Sequence, residues 1–253
     1  MNDEFYIGWE KKAAPDTGRG VHKIVVALWA LALVMPLTLA MSQRLIGTSV
    51  FEWGNLKTIS GILQTEPYPH LLVPRPGRAV GEAFSIYYLV APWKFGLNAK
   101  AIAPLNGKSV TIKGTLIYRE NQTMIETKPE WIVATTNASP TRETPPFISL
   151  GRQTFIGEIV DSKCYLGVMN PGRLTPHRAC AIRCISGGAP PILLVQPKDE
   201  SPICLLLVSA EGKPVNKDVL DMVAEPVEIT GDVERQGDLL VLRADPRSYR
   251  RTK

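Results

Sequence analysis

The sequence predicts a mainly β protein. Two tandem five-stranded barrels follow one N-terminal transmembrane helix, and a short helix bearing Cys and His is inserted in the second barrel. Three observations carry this reading. Beyond residue 41, short β-branched and aromatic runs alternate with Gly, Pro and Asn turns, and long helical patterns are almost missing. Those strand-like runs recur in the same order in two halves of the chain. A single uncharged apolar stretch stands near the N-terminus. With 253 residues, 45% hydrophobic and 21% charged, the chain has material for two modest domains and is not a disordered tail.

Residues 1–23 read as a cytoplasmic arm. Phe5, Tyr6 and Trp9 lie close together in it, either as membrane-interface anchors or as a docking strip for a neighbouring membrane subunit. Residues 24–41 (IVVALWALALVMPLTLAM) carry no charge and are about long enough to cross a bilayer. Lys11, Lys12, Arg19 and Lys23 precede this stretch and only Arg44 follows closely. The positive-inside rule then leaves the N-terminus in the cytoplasm and the larger part across the membrane. Thr38-Leu39-Ala40 resembles a signal-peptidase site, but the long leader contains acids as well as bases, which favours an uncleaved signal anchor. For a bacterial cell this means a single-pass inner-membrane protein with its C-terminal domains in the periplasm.

The repeat aligns Thr58–Leu63 with Thr154–Ile159, Leu71–Val73 with Leu193–Val195, Tyr87–Val90 with Leu205–Val208, and Val110–Gly114 with Val227–Gly231. Each copy closes with a hairpin-like return, Thr115–Ile125 and Asp232–Leu242. The first domain spans 51–133, a polar Pro-rich linker spans 134–147, the second domain spans 148–246, and residues 247–253 form a basic tail. A first strand carrying Gly, two further strands, a V-x-I-x-G strand and a final hairpin resemble the bacterial periplasmic OB-fold modules. The resemblance covers most of both copies and implies a Greek-key barrel, not a function. OB folds often hold single-stranded nucleic acid on aromatics in a basic groove. Copy one offers Tyr68, Tyr87, Tyr88, Trp93, Phe95 and Tyr118, but copy two has almost none, and a net charge of +5 resting partly on the tail is weak support. Nucleic acid is therefore not the expected partner, and the aromatics read as core or as a protein-contact surface.

Gly61 and Gly157 are 96 positions apart, whereas Gly114 and Gly231 are 117 apart, so copy two carries 21 additional residues. Most of them fall in residues 161–191, DSKCYLGVMNPGRLTPHRACAIRCISGGAPP. Thr175 and Pro176 are suited to begin a helix there and Gly187-Gly188 to end it. His177, Cys180 and Cys184 then fall at i, i+3 and i+7 on one face, with Cys164 arriving from a loop. Cys204 aligns with Ile86 and reads as a buried free thiol.

Three readings of Cys164, His177, Cys180 and Cys184 stay open. A disulfide from Cys164 to Cys180 or Cys184 would tie the insertion to the barrel, as exported proteins often do. A Cys3His centre would take zinc or copper, since thiolates favour soft ions. The CxxxC pair with His177 also resembles copper-delivery proteins of the inner membrane, although their thioredoxin-like scaffold is not evident. Thiol–disulfide chemistry at Cys180, beside Arg178 and Arg183, is the third reading. Asp161 and Lys163 read as a surface ion pair or as supporting groups, and Met169 as packing. No Ser/His/Asp set, spaced carboxylate pair, phosphate-binding Gly loop or CxxCH occurs, and the only histidines are His22, His70 and His177. The expected function is an accessory or binding subunit of an inner-membrane assembly, respiratory or redox, rather than a catalyst. Its expected partners are other inner-membrane or periplasmic proteins. The alternative is a metal-binding or thiol-redox protein acting through the cysteine cluster.

Overall fold

The computed structural model describes residues 14–43, 49–75, 84–135, 145–198 and 201–252. The aromatic arm and most of the linker lie outside them. The chain divides into two compact units, Met1–Gly47 and Thr48–Lys253. In the first, α1 (Pro15–Gln43) begins before the apolar stretch, with Asp16 and Arg19 paired at 2.5 Å in its opening turns. It is long and apolar enough to cross a membrane, with a mean hydropathy of 2.4, and it carries Pro36 internally.

The second unit contains two closed five-stranded barrels of OB-like topology. The first uses β1 (Ser49–Gln64), β2 (His70–Pro74), β3 (Phe84–Val90), β4 (Ser109–Arg119) and β5 (Gln122–Glu126), in the order β1-β2-β3-β5-β4 with β4 returning to β1. A short helix, α2 (Ala99–Ile102), links β3 to β4, and β6 (Ile132–Ala134) adds to the free edge of β4. The second barrel repeats the plan with β7 (Ile148–Asp161), β8 (Pro191–Val195), β9 (Ile203–Val208), β10 (Pro226–Gln236) and β11 (Leu239–Arg243). The inserted helix, α3 (Arg178–Ser186), lies between β7 and β8.

The register reproduces the repeat residue by residue. Ile62 pairs with Leu72 as Glu158 pairs with Leu194, and Leu72 pairs with Ile86 as Leu194 pairs with Cys204. β3 runs parallel to β5 as β9 runs parallel to β11. The shared glycines have a steric reason. A Cβ on Gly157 would stand 2.6 Å from the Leu194 carbonyl oxygen, and one on Gly61 would strike the equivalent carbonyl of Leu72. The basic tail is likewise part of the repeat. Arg250–Arg251 form β12, which pairs with Val227 and Glu228 as β6 pairs with Val110 and Thr111. Arg251 also bonds the carboxylates of Glu225 and Asp221, so these residues are not a free solvated arm.

Three apolar cores follow from the two faces of each strand. Leu63, Leu71, Leu89, Ile112 and Ile125 fill the first barrel, and Ile159, Leu193, Leu205, Ile229 and Leu242 fill the second. Their sequence neighbours point the other way and meet between the barrels. Ile62, Leu72, Ile86, Tyr88 and Met124 from copy one pack there with Val160, Ile192, Leu194, Cys204, Leu206 and Val241 from copy two. Cys204 is a buried free thiol, as expected, and it lies in this shared layer rather than inside a barrel. Burial pushes its pKa up to about 12. Tyr68 crosses the same boundary: its hydroxyl accepts the Val215 N–H at 3.0 Å and donates to the Leu207 carbonyl at 3.4 Å.

Candidate metal centre

The insertion begins where β7 ends. Asp161 is fully buried, and its Oδ1 accepts the Cys164 N–H at 2.8 Å, capping a π-helical turn over Cys164–Val168. The chain then doubles back through Gly172 (φ 68), where a Cβ would stand 2.8 Å from the Cys164 carbonyl oxygen. The following helix opens as a 3-10 turn, Thr175–His177, and continues as α3. Thr175 is not its side-chain cap: Leu174 occupies that position in the left-handed region (φ 67), and its N–H goes to the Glu158 carboxylate. Pro176 sits in the first turn as expected. Gly187 ends α3 and Gly188 follows at φ 102.

α3 is amphipathic in an unusual sense. Ala181 and Ile185 face the second barrel's core, while Cys180 and Cys184 face Cys164 and Ala189. The three sulfurs converge: Cys164 Sγ lies 3.8 Å from Cys180 Sγ and 3.9 Å from Cys184 Sγ, and all three are mutually within 4.8 Å. All four cysteines are free thiols in the structure. A disulfide would bring two sulfurs to about 2.05 Å. Metal–sulfur bonds of about 2.3 Å at a tetrahedral angle place sulfurs about 3.8 Å apart. The observed spacing is that of hydrogen-bonded thiols, and a shared ion would need little movement of the sulfurs.

His177 stands beside this triad, next to Cys164. Its Nε2 lies 2.9 Å from Asp161 Oδ2, so it groups with Asp161 and Cys164 rather than with Cys180 and Cys184. The i, i+3 and i+7 spacing assumes one continuous α-helix, whereas His177 lies in the 3-10 turn that precedes α3. Asp161 thus holds two parts of the insertion at once, one through each carboxylate oxygen.

Copy one completes the site. Lys94, on the loop after β3, donates to Cys180 Sγ at 2.7 Å, and that hydrogen bond raises the lysine's pKa. The loop is clamped to α3. Gly96 N–H donates to the Gly187 carbonyl at 2.9 Å, and a Cβ on Gly96 would run into the carbonyl of Gly188. Lys163, almost fully buried, reaches back from the insertion to donate to the carbonyls of Ala91 (2.8 Å) and Trp93 (2.6 Å) and to pair with Glu126 at 2.5 Å. Asp161 and Lys163 are therefore not a surface ion pair. Each is buried, with its own partner. Lys94 carries no signal in the sequence, since it stands 86 positions from Cys180 and belongs to the other repeat.

The thiols are not electrostatically equal. Cys164 is pushed well up, first because it donates to Cys184 Sγ, then by burial and by the Asp161 carboxylate. Cys184 is pulled down, chiefly by receiving that hydrogen bond, with Lys94 adding a smaller effect in the same direction. Within this hydrogen-bonded pair Cys184 is the more acidic thiol, and Lys94 stands beside the cluster as a counter-charge. Met169 is 45% exposed and is not among the residues packed around the sulfurs.

No protein-family model, curated protein or solved structure matches this chain.

Proposed function

We propose that this chain is a membrane-anchored, non-catalytic binding protein that holds a soft metal ion on Cys164, Cys180 and Cys184. The ion is Cu(I) in preference to zinc. The protein presents it on the periplasmic side of the bacterial inner membrane, to a neighbouring protein of a respiratory or redox assembly. The convergence of three sulfurs carries the reading. Three thiolates satisfy three-coordinate Cu(I), whereas a closed structural zinc site needs a fourth ligand. His177 groups with Cys164 and Asp161 and is not in one set with all three sulfurs, so the three thiolates are the ligands proposed. Asp161, Lys163 and Lys94 hold and neutralise the cluster in the way that groups behind metal ligands orient and tune them. The apolar helix with basic residues before it supports the anchoring and the orientation.

The test is to purify the full-length protein anaerobically, then measure bound metal and count thiols under denaturing conditions. The reading predicts one copper per chain and four titratable thiols after the metal is removed. Cys164→Ser loses the metal and Cys204→Ser keeps it. Two free thiols and no metal would establish a disulfide instead, and stoichiometric zinc with no copper would correct the ion. Recovery as a lone protein in mild detergent, with nothing co-purifying, would count against a role within an assembly.

A further inference from the structure

The second feature that the barrels do not need is a cleft of about 550 Å³ between the first barrel and the start of the insertion, beside but not part of the cysteine cluster. Its walls are Trp53, Trp93 and Trp131 with Phe51, and its floor is the Lys163–Glu126 pair. The chain has five tryptophans; all three that follow the apolar helix converge here from three separate segments. Trp53 lies in the bulge of β1 between Phe51 and Leu56, Trp93 on the loop after β3, and Trp131 in the turn before β6.

The repeat shows that none of them is structural necessity. The matching positions in copy two are Glu211 for Trp93 and Ser248 for Trp131, and the matching bulge of β7 is smaller, with Leu150 in it. The same elements form there without tryptophan. In copy one the rings are also poorly covered, Trp53 being 76% and Trp93 79% exposed. Trp93 is moreover held in the left-handed region (φ 64), with its carbonyl fixed by Lys163. A large apolar side chain that is both exposed and backbone-strained is placed for something outside the fold. Ligand pockets are commonly of this size and this aromatic character.

Charge selects the ligand. Three charged residues line the cleft among the described residues: Glu126 is neutralised by Lys163, leaving Lys128 as an uncompensated cation with its Nζ 4.9 Å from the Trp131 ring centroid. A cationic ligand would find Trp131 already covered by a lysine. We propose that this cleft binds a small amphiphile with a flat apolar body and one anionic group, a carboxylate or phosphate. The body stacks between the tryptophans and the anion meets Lys128.

The test uses the full-length protein in phosphatidylcholine nanodiscs and isothermal titration with naphthalene-2-carboxylate, with naphthalene-2-methanol and a naphthylmethyl-trimethylammonium salt alongside, each corrected against empty discs. The expected result is one saturable site that prefers the carboxylate over the alcohol by about fivefold or more, from one partly exposed charge-assisted contact. Trp93→Ala weakens the carboxylate by about tenfold, the loss of one stacking wall. Lys128→Gln, at a partly exposed side chain whose loss leaves the fold intact, removes the preference while leaving the alcohol unchanged. Repeating the titration in discs containing phosphatidate separates the sources. Competition assigns a lipid, and undiminished binding assigns a soluble molecule. Equal binding of the three probes, preference for the ammonium, or a Trp93→Ala protein that binds as the parent does would overturn the proposal.

Discussion

Lys163 concentrates the energetics of the site in one side chain. It is almost fully buried, donates to the carbonyls of Ala91 and Trp93, and pairs with the Glu126 carboxylate, itself only 12% exposed. Removing one member of a buried ion pair leaves the other uncompensated, at a cost of about 3–5 kcal/mol. Lys163→Met should therefore destabilise the protein by about that amount in urea titration, and adding Glu126→Gln should restore part of it. A loss below about 1 kcal/mol would mean that Lys163 behaves as an ordinary surface lysine. At this scale the sequence was partly legible. Cys164, Cys180 and Cys184 could be singled out because cysteines are few and clustered, and Cys204 could be set apart by its match to Ile86. Lys94 could not be found, because a contact across 86 positions between repeats leaves no spacing to read. The Asp161 partner of His177 has no sequence signal either, since helical spacing does not reveal where a 3-10 turn replaces an α-turn.

The decisive contact between elements is the clamp of the loop after β3 onto the end of α3. It allows no side chain at Gly96, which approaches Gly188 backbone to backbone. Gly96→Ala should push the loop away, withdraw Lys94 from Cys180 and weaken Cu(I) binding by about tenfold, the usual effect of losing a group behind a metal ligand. Lys94→Met should reproduce that loss without the steric effect. Competition with a chromophoric chelator measures both, and a Gly96→Ala protein with parental affinity would sink the clamp's role. Strand identities and their equivalences were readable because both copies repeat β-branched runs with glycines at the same close approaches. The sixth strands were not. Ile132–Ala134 and Arg250–Arg251 share little side-chain character, and their pairing to β4 and β10 is a backbone event.

Across the whole unit, the two barrels are joined by an apolar layer as continuous as either interior. The sequence hides this layer. Strands buried on both faces read as unbroken runs, such as ILLV and CLLLV, and such runs do not say which face looks inward. Thr48–Lys253 is one compact unit, so the barrels should open together. Native-state hydrogen exchange at the equivalent amides of Leu71 and Leu193 should give the same opening free energy, whereas a gap of about 2 kcal/mol or more would mean independent barrels. The repeats also meet at the cysteine cluster, where Lys94 of one donates to Cys180 of the other. Whether the three cysteines bind an ion together is read most directly by X-ray absorption at the copper edge of the loaded full-length protein. Three sulfur scatterers at about 2.3 Å and no nitrogen are expected. Two sulfurs, or a histidine signature that disappears in His177→Gln, would contradict binding by the three cysteines.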